Sequence, residues 1–248
     1  MLPKLLTAPI WLIQTRRAAH WQRDPSAGTL PLGEVMRYAG SVLLADGLTA
    51  VRTQGDNLII AAALGTTALG TYFFAFNAGI GILSSLVGAF GSVIFPMFCG
   101  APAGAPRVAV LRRVAVGGAI VFVPLIALQA LGAPWYMPIV FGAHWAFAAP
   151  YIAVMCLAGV PLIITQITTS WLRAEGRVST DAMFSAITCV LALGGLSIGV
   201  QSGRIGLAIA GLVCGQTIAA VWFALRVLIP ALDLRRKAAA LLVVIDHG

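Results

Sequence analysis

Between Asp56 and Arg107, and again between Arg113 and Arg173, the chain contains no aspartate, glutamate, lysine or arginine. A membrane-crossing helix needs about 20 mostly apolar residues, so each stretch has room for more than one crossing. Composition agrees, because 60% of residues are hydrophobic and 10% are charged, against roughly 25% charged in soluble domains. A water-soluble surface cannot be built from this. Barrel strands alternate apolar and polar residues with period two, whereas these stretches are apolar on every side. The sequence therefore predicts an all-α integral membrane protein, a bundle of about six transmembrane helices.

Spans are placed near 38–64, 71–98, 114–131, 150–171, 182–200 and 205–225. Lysine and arginine are retained in cytoplasmic loops, which supplies an independent check on this division. Arg16, Arg17, Arg23 and Arg37 precede the first span, and Arg107, Arg112 and Arg113 follow the second. Arg173 and Arg177 lie between the fourth and fifth, and Arg226, Arg235, Arg236 and Lys237 follow the sixth. The opposite connections, 65–70, 132–149 and 201–204, contribute only Arg204. Both termini are thus expected in the cytoplasm. The formal charge of +8 is explained by this asymmetry, and no continuous basic stripe points to nucleic acid.

The four cysteines, Cys99, Cys156, Cys189 and Cys214, lie in or beside apolar runs without metal-ligand spacing and read as packing residues. Residues 1–13 loosely imitate a signal peptide but lack a convincing cleavage site, so they read as uncleaved. Pro96, Pro124 and Pro161 fall inside expected spans, where neighbouring groups can satisfy the backbone they free. They serve either packing or gating.

The first span holds Asp46, Arg52 and Asp56, each costing about 2.5 to 3.5 kcal/mol at mid-membrane on insertion scales. Arg52 and Asp56 are four apart and can pair on one helix face, while Asp46 lies about 120° around a regular helix from Arg52. Two readings follow. Either this face, with Asn57 and Gln54, lines a wet cavity where Arg52 binds an anionic group and an aspartate exchanges a cation or proton, or an internal ion pair fastens the span to a neighbour. Gln129, Gln166 and Thr168 either add polar groups to the cavity or hydrogen-bond between spans. His20, His144 and His247 lie outside the spans, and no zinc motif, nucleophile elbow or phosphate-binding loop occurs. No catalytic residue, metal ligand or cofactor is therefore assigned, and an enzyme is not expected.

The segment GDNLIIAAALGTTALGTYFFAFNAG at 55–79 resembles the start of the second half of bacterial polysaccharide biosynthesis flippases. GSVIFPMF at 91–98, IVFGAHWAFAAPYIAVMCLAG at 139–159 and LRAEGRVSTDAMFS at 172–185 resemble later pieces of the same family in the same order. The resemblance covers roughly 33–226 and points to the lipopolysaccharide or exopolysaccharide branch of a superfamily that includes multidrug and toxin exporters. It implies one lobe of a two-lobed carrier, with residues 1–32 a cytoplasmic segment carrying a remnant apolar helix. Residues 33–227 would be the six-helix bundle and 228–248 a basic cytoplasmic tail with a short apolar end.

By resemblance the cargo is an oligosaccharide linked to polyprenyl diphosphate, translocated across the bacterial inner membrane. Arg52, Asp46, Asp56 and Asn57 are the candidate cavity residues. Family members have about twice as many spans, so the chain is expected to be a fragment, a truncated product or a half-carrier. Its partners would be membrane lipid and either a second six-helix bundle or another copy of itself. The alternatives are a drug or solute antiporter of the same superfamily, or a non-transporting scaffold of a polysaccharide assembly complex.

The charge asymmetry makes a direct prediction. Single cysteines at Thr67 and Ser202 in a cysteine-free background should react with an impermeant thiol reagent outside intact cells, and cysteines at Gly104 and Glu175 should be protected. Reactivity in the reverse order would invert the orientation.

Overall fold

The structure, a computed structural model, describes residues 31–232. The expected amino-terminal segment through residue 30 and the basic tail from residue 233 lie outside the described residues. The chain divides into units 1–37 and 38–248; the first contributes only the opening turns of one helix to the described part. Within the described residues the regular structure is helical throughout: α1 Leu32–Phe76, α2 Ile82–Gly100, α3 Ala105–Val140, α4 Ala149–Leu157, α5 Gly159–Ala174, α6 Val178–Val200 and α7 Ile205–Phe223. Five helical runs are long and apolar enough to cross a membrane. The expected membrane fold class is observed.

The first run, Leu32–Gly100, has 69 residues, roughly 100 Å if straight and more than three times the hydrocarbon core. It does not run straight. Gly65 takes φ 84° and ψ 176° inside α1, a conformation that side-chain-bearing residues avoid. Beyond it the chain turns back, because the Tyr72 hydroxyl donates to Asp56 Oδ2 at 2.6 Å, a contact that residues sixteen apart on one straight helix cannot make. The run is two crossings folded at Gly65, so five runs hold the six crossings expected. The connection expected at 65–70 contracts to this one residue.

Asp56 and Arg52, which their spacing would allow to pair, form no ion pair among the described residues. Asp56 is buried, receives the Tyr72 hydroxyl, and accepts a 2.6 Å bond from the Asn57 backbone N–H. The fold at Gly65 brings a neutral phenol to the carboxylate, which an argument confined to one helix could not foresee.

A wide helical turn, Asn77–Gly81, joins the returning limb to α2. Such turns lengthen the backbone bonding pattern and leave carbonyls poorly matched. The Gln129 side-chain amide of α3 donates to the Ala78 and Gly79 carbonyls, so this glutamine joins spans, and it borders a separate, mostly apolar cavity with Phe74 and Leu125. Helix α3 continues to Val140 through Pro134 and Pro138, whereas a loop was expected from residue 132. Prolines are poor stop signals in a membrane bundle, where neighbours tolerate the missing bond. Pro161 does coincide with a break, because it cannot donate to Leu157, and α4 ends at that residue.

Between α6 and α7 the backbones nearly touch. A Cβ placed on Gly195 would meet the Gly211 carbonyl, one on Gly199 would meet Leu207, and one on Gly215 would meet the Leu191 carbonyl. Both helices thus present a Gly-x-x-x-Gly pair, the spacing that lets membrane helices gain dispersion energy where lipid offers no hydrophobic drive. Phe184 and Phe223, with ring centroids 3.8 Å apart, continue the contact. Phe98 meets Trp171 edge-on at 5.6 Å and ties α2 to α5.

Arg107 donates to Ala101 and Ala174 carbonyls and pairs with Glu175 at 2.7 Å, so the 101–104 and 175–177 connections share one end of the bundle. Elsewhere, Phe74 packs against Phe141 and Trp145 at 5.1 and 4.1 Å, an aromatic cluster of the kind found at membrane interfaces.

Two stability measurements test these contacts. Gly211→Leu should destabilise the protein by about 1 to 3 kcal/mol through overpacking, while Gly194→Leu, at a glycine with open space around it, should be nearly neutral in detergent unfolding. Tyr72→Phe should cost about 1 to 3 kcal/mol by stripping a buried carboxylate of one of its two donors, and the exchange Arg52→Asp with Asp56→Arg should lower stability further. A stable exchange variant would restore the Arg52–Asp56 pairing that the fold replaces.

Candidate functional site

Helix α5 carries Thr165, Gln166, Thr169, Ser170 and Arg173 between apolar Ile163, Ile167, Trp171 and Leu172. These polar residues recur at helical spacing and make one stripe along an otherwise apolar element. The stripe faces a cavity of about 250 Å³. Asp46, Thr49 and Arg52 of α1 form the facing wall, three residues apart in sequence and therefore along one helix side. Ser185 and Thr188 of α6 and Gln216 of α7 complete the polar lining, and Phe184 and Leu162 the apolar part. Gln166, Thr169 and Arg173 also border a second cavity of about 430 Å³, with Tyr38, Ser92 and Ser170. Helix α2 passes α5 closely there because it carries Gly91, where any side chain would collide with Gln166.

Arg173 organises the charge at this site. Its Nε donates to Asp181 Oδ2 at 2.7 Å and its Nη2 to Asp46 Oδ1 at 2.8 Å. Thr169 donates its hydroxyl to Asp181 Oδ1 at 2.9 Å. Asp181 is fully buried in the first turn of α6, where the exposed N–H groups of the helix end favour a negative charge. Arg52 forms no ion pair or hydrogen bond among the described residues, although it opens into the same cavity.

Of the four candidate residues read from the sequence, the fold brings Asp46 and Arg52 to the cavity and leaves Asp56 and Asn57 outside its lining. Asp56 fastens the Gly65 fold, and Asn57 donates its side-chain amide to the Thr53 carbonyl within its own helix. Gln166 lines the cavity, but Thr168 is buried with its hydroxyl on the Ile164 carbonyl. Arg173 and Asp181 were missed as site residues because they sit in a short basic turn that topology explains. The signal was the polar period from Thr165 to Arg173. Among the described residues no group of three His, Cys, Asp or Glu side chains is placed to hold a metal ion. The cavity can accept a hydrogen-bonding or ionic group and shield it from hydrocarbon.

Comparison with known proteins gives this geometry a context. Lipopolysaccharide biosynthesis protein WzxC of Escherichia coli (strain K12) is 27% identical over 171 residues, covering 67% of this chain and 35% of that protein. An uncharacterized membrane protein in the cps region of Klebsiella pneumoniae is 25% identical over 159 residues, covering 63% and 33% respectively. The chain thus spans about a third of the length of these curated relatives. No solved structure matches. Residues 3–150 match the family described as polysaccharide biosynthesis protein, more than half of the sequence, and the chain belongs to that family.

Proposed function

We propose that this chain forms one wall of a bacterial inner-membrane carrier that flips polyprenyl-diphosphate-linked oligosaccharides from the cytoplasmic to the periplasmic leaflet, with both termini in the cytoplasm. The observation that carries the reading is the charged cavity inside an apolar bundle, in a chain of the polysaccharide biosynthesis family. Intramembrane charges are costly and mark pathways for polar cargo. Such cargo needs its sugar shielded from hydrocarbon and its diphosphate met by cations. Arg52 is the residue proposed to meet it from α1. The role is transport and involves no bond-making step.

A carrier of this type works by one bundle rocking against another around a site at their interface. One six-crossing bundle provides one wall, so a second bundle or a second copy is proposed as partner. Asp46, with 62% of its side chain exposed, belongs to the face that such a partner would cover.

Flipping of a fluorescent polyprenyl-diphosphate oligosaccharide in proteoliposomes tests this. Transport should require the second bundle or a dimer. In the assembled carrier Arg52→Ala should reduce it by at least about tenfold, equivalent to about 1.4 kcal/mol, beyond any loss of protein, while Arg52→Lys keeps part of the rate. Robust transport by a verified monomer would overturn the half-carrier reading. Full transport by Arg52→Ala would remove Arg52 from the cargo site.

A further inference from the structure

Arg173 serves two carboxylates with one positive charge, and the two are held very differently. Asp181 is fully buried and has a second donor in Thr169, so removing its cation would strand a buried charge. Asp46 is mostly exposed, comes from a different helix, and depends on a single bond from Nη2. Exposed ion pairs are weak. The guanidinium Nη1 has no partner among the described residues, which leaves the outer edge of the fork half used. Helix α1 makes almost no close backbone approach to other helices, so side-chain links such as this one hold it in place.

We propose that Asp46 is a displaceable counter-anion. A phosphate or diphosphate oxyanion entering the cavity takes the Nη1 and Nη2 edge of Arg173, displaces Asp46, and thereby unfastens α1 from α5. Asp181 and Thr169 keep the guanidinium aimed while this exchange occurs. Bidentate geometry is what arginine offers a planar or tetrahedral oxyanion and an exposed carboxylate uses only in part. Arg52, across the same cavity, provides a second cation for the other end of a diphosphate. Asp46 is then a competitor of the ligand, and Arg173 a further binding residue. This deepens the reading of the cavity as the cargo site and rests on it.

The experiment measures binding of inorganic pyrophosphate, and separately of a short isoprenyl diphosphate, to the full chain in phosphatidylcholine nanodiscs. Asp46→Asn should bind both more tightly, on the order of tenfold, the size of an ordinary coupling between competing ligands. Arg173→Lys keeps a charge beside Asp181 but loses the fork, and should bind both more weakly. Tighter binding of the isoprenyl compound identifies a lipid headgroup as the source, and equal affinities identify a free oxyanion; both support the site. Asp46→Asn that folds as the parent does and binds no more tightly overturns the displacement. Binding strengthened by Asp46→Asn in a protein whose assembled carrier flips no sugar-lipid would overturn the transport reading and leave the anion site standing.

Discussion

Hydrocarbon offers no hydrogen-bonding partner, so interruptions in a helix must be answered by the protein itself and charges inside the bundle must be paired or face a polar cavity. The architecture depends on how these demands are met. The chain reverses at Gly65, and Asp56 with Tyr72 closes the fold from within. The wide turn at Asn77–Gly81 is answered by the Gln129 amide from α3. At Pro161 the missing donor is accepted as a break between α4 and α5. Packing follows the same logic, since membrane helices gain little from burying apolar surface against one another and associate through close contact. The paired glycines of α6 and α7 permit that contact by removing side chains where the backbones cross.

The charges obey the same constraint and gather accordingly. Arg173 joins α1, α5 and α6 through Asp46 and Asp181, and Arg107 fastens the end of α5 through Ala174 and Glu175. Around Arg173 lies a cavity with the polar stripe of α5 on one side and Asp46, Thr49 and Arg52 on the other. Two arginines and two aspartates occupy this region, so their formal charges balance, with Arg173 engaged by both aspartates and Arg52 by neither. Under the proposed function, such balance suits a site that binds a charged group without holding it permanently.

The family match covers residues 3–150, and the alignments cover about a third of the matched relatives. The proposed partner would cover the open side of α1, the helix least embraced by the others. That same looseness makes the Asp46 contact with Arg173 a reasonable place for ligand binding to act on helix position.

The membrane class, the helical content and the approximate positions of the crossings were legible in sequence, because uncharged stretches of this length have one stable solution in a bilayer. Charge placement grouped the connections, and the contact of Arg107 with Glu175 brings two of them to one end. Asp46 and Arg52 stood out because charges there are costly. Their partners did not, since spacing along one helix suggested Asp56 for Arg52, while Tyr72 reaches Asp56 only after the chain reverses at Gly65. The connection expected from residue 132 is helical through Pro134 and Pro138 as far as Val140, because proline's effect depends on what surrounds it. Arg173 and Asp181 looked like ordinary turn charges. Only the tertiary structure placed them against α1, because the positions of helices relative to one another are set by side-chain packing among elements distant in sequence, which no local pattern encodes.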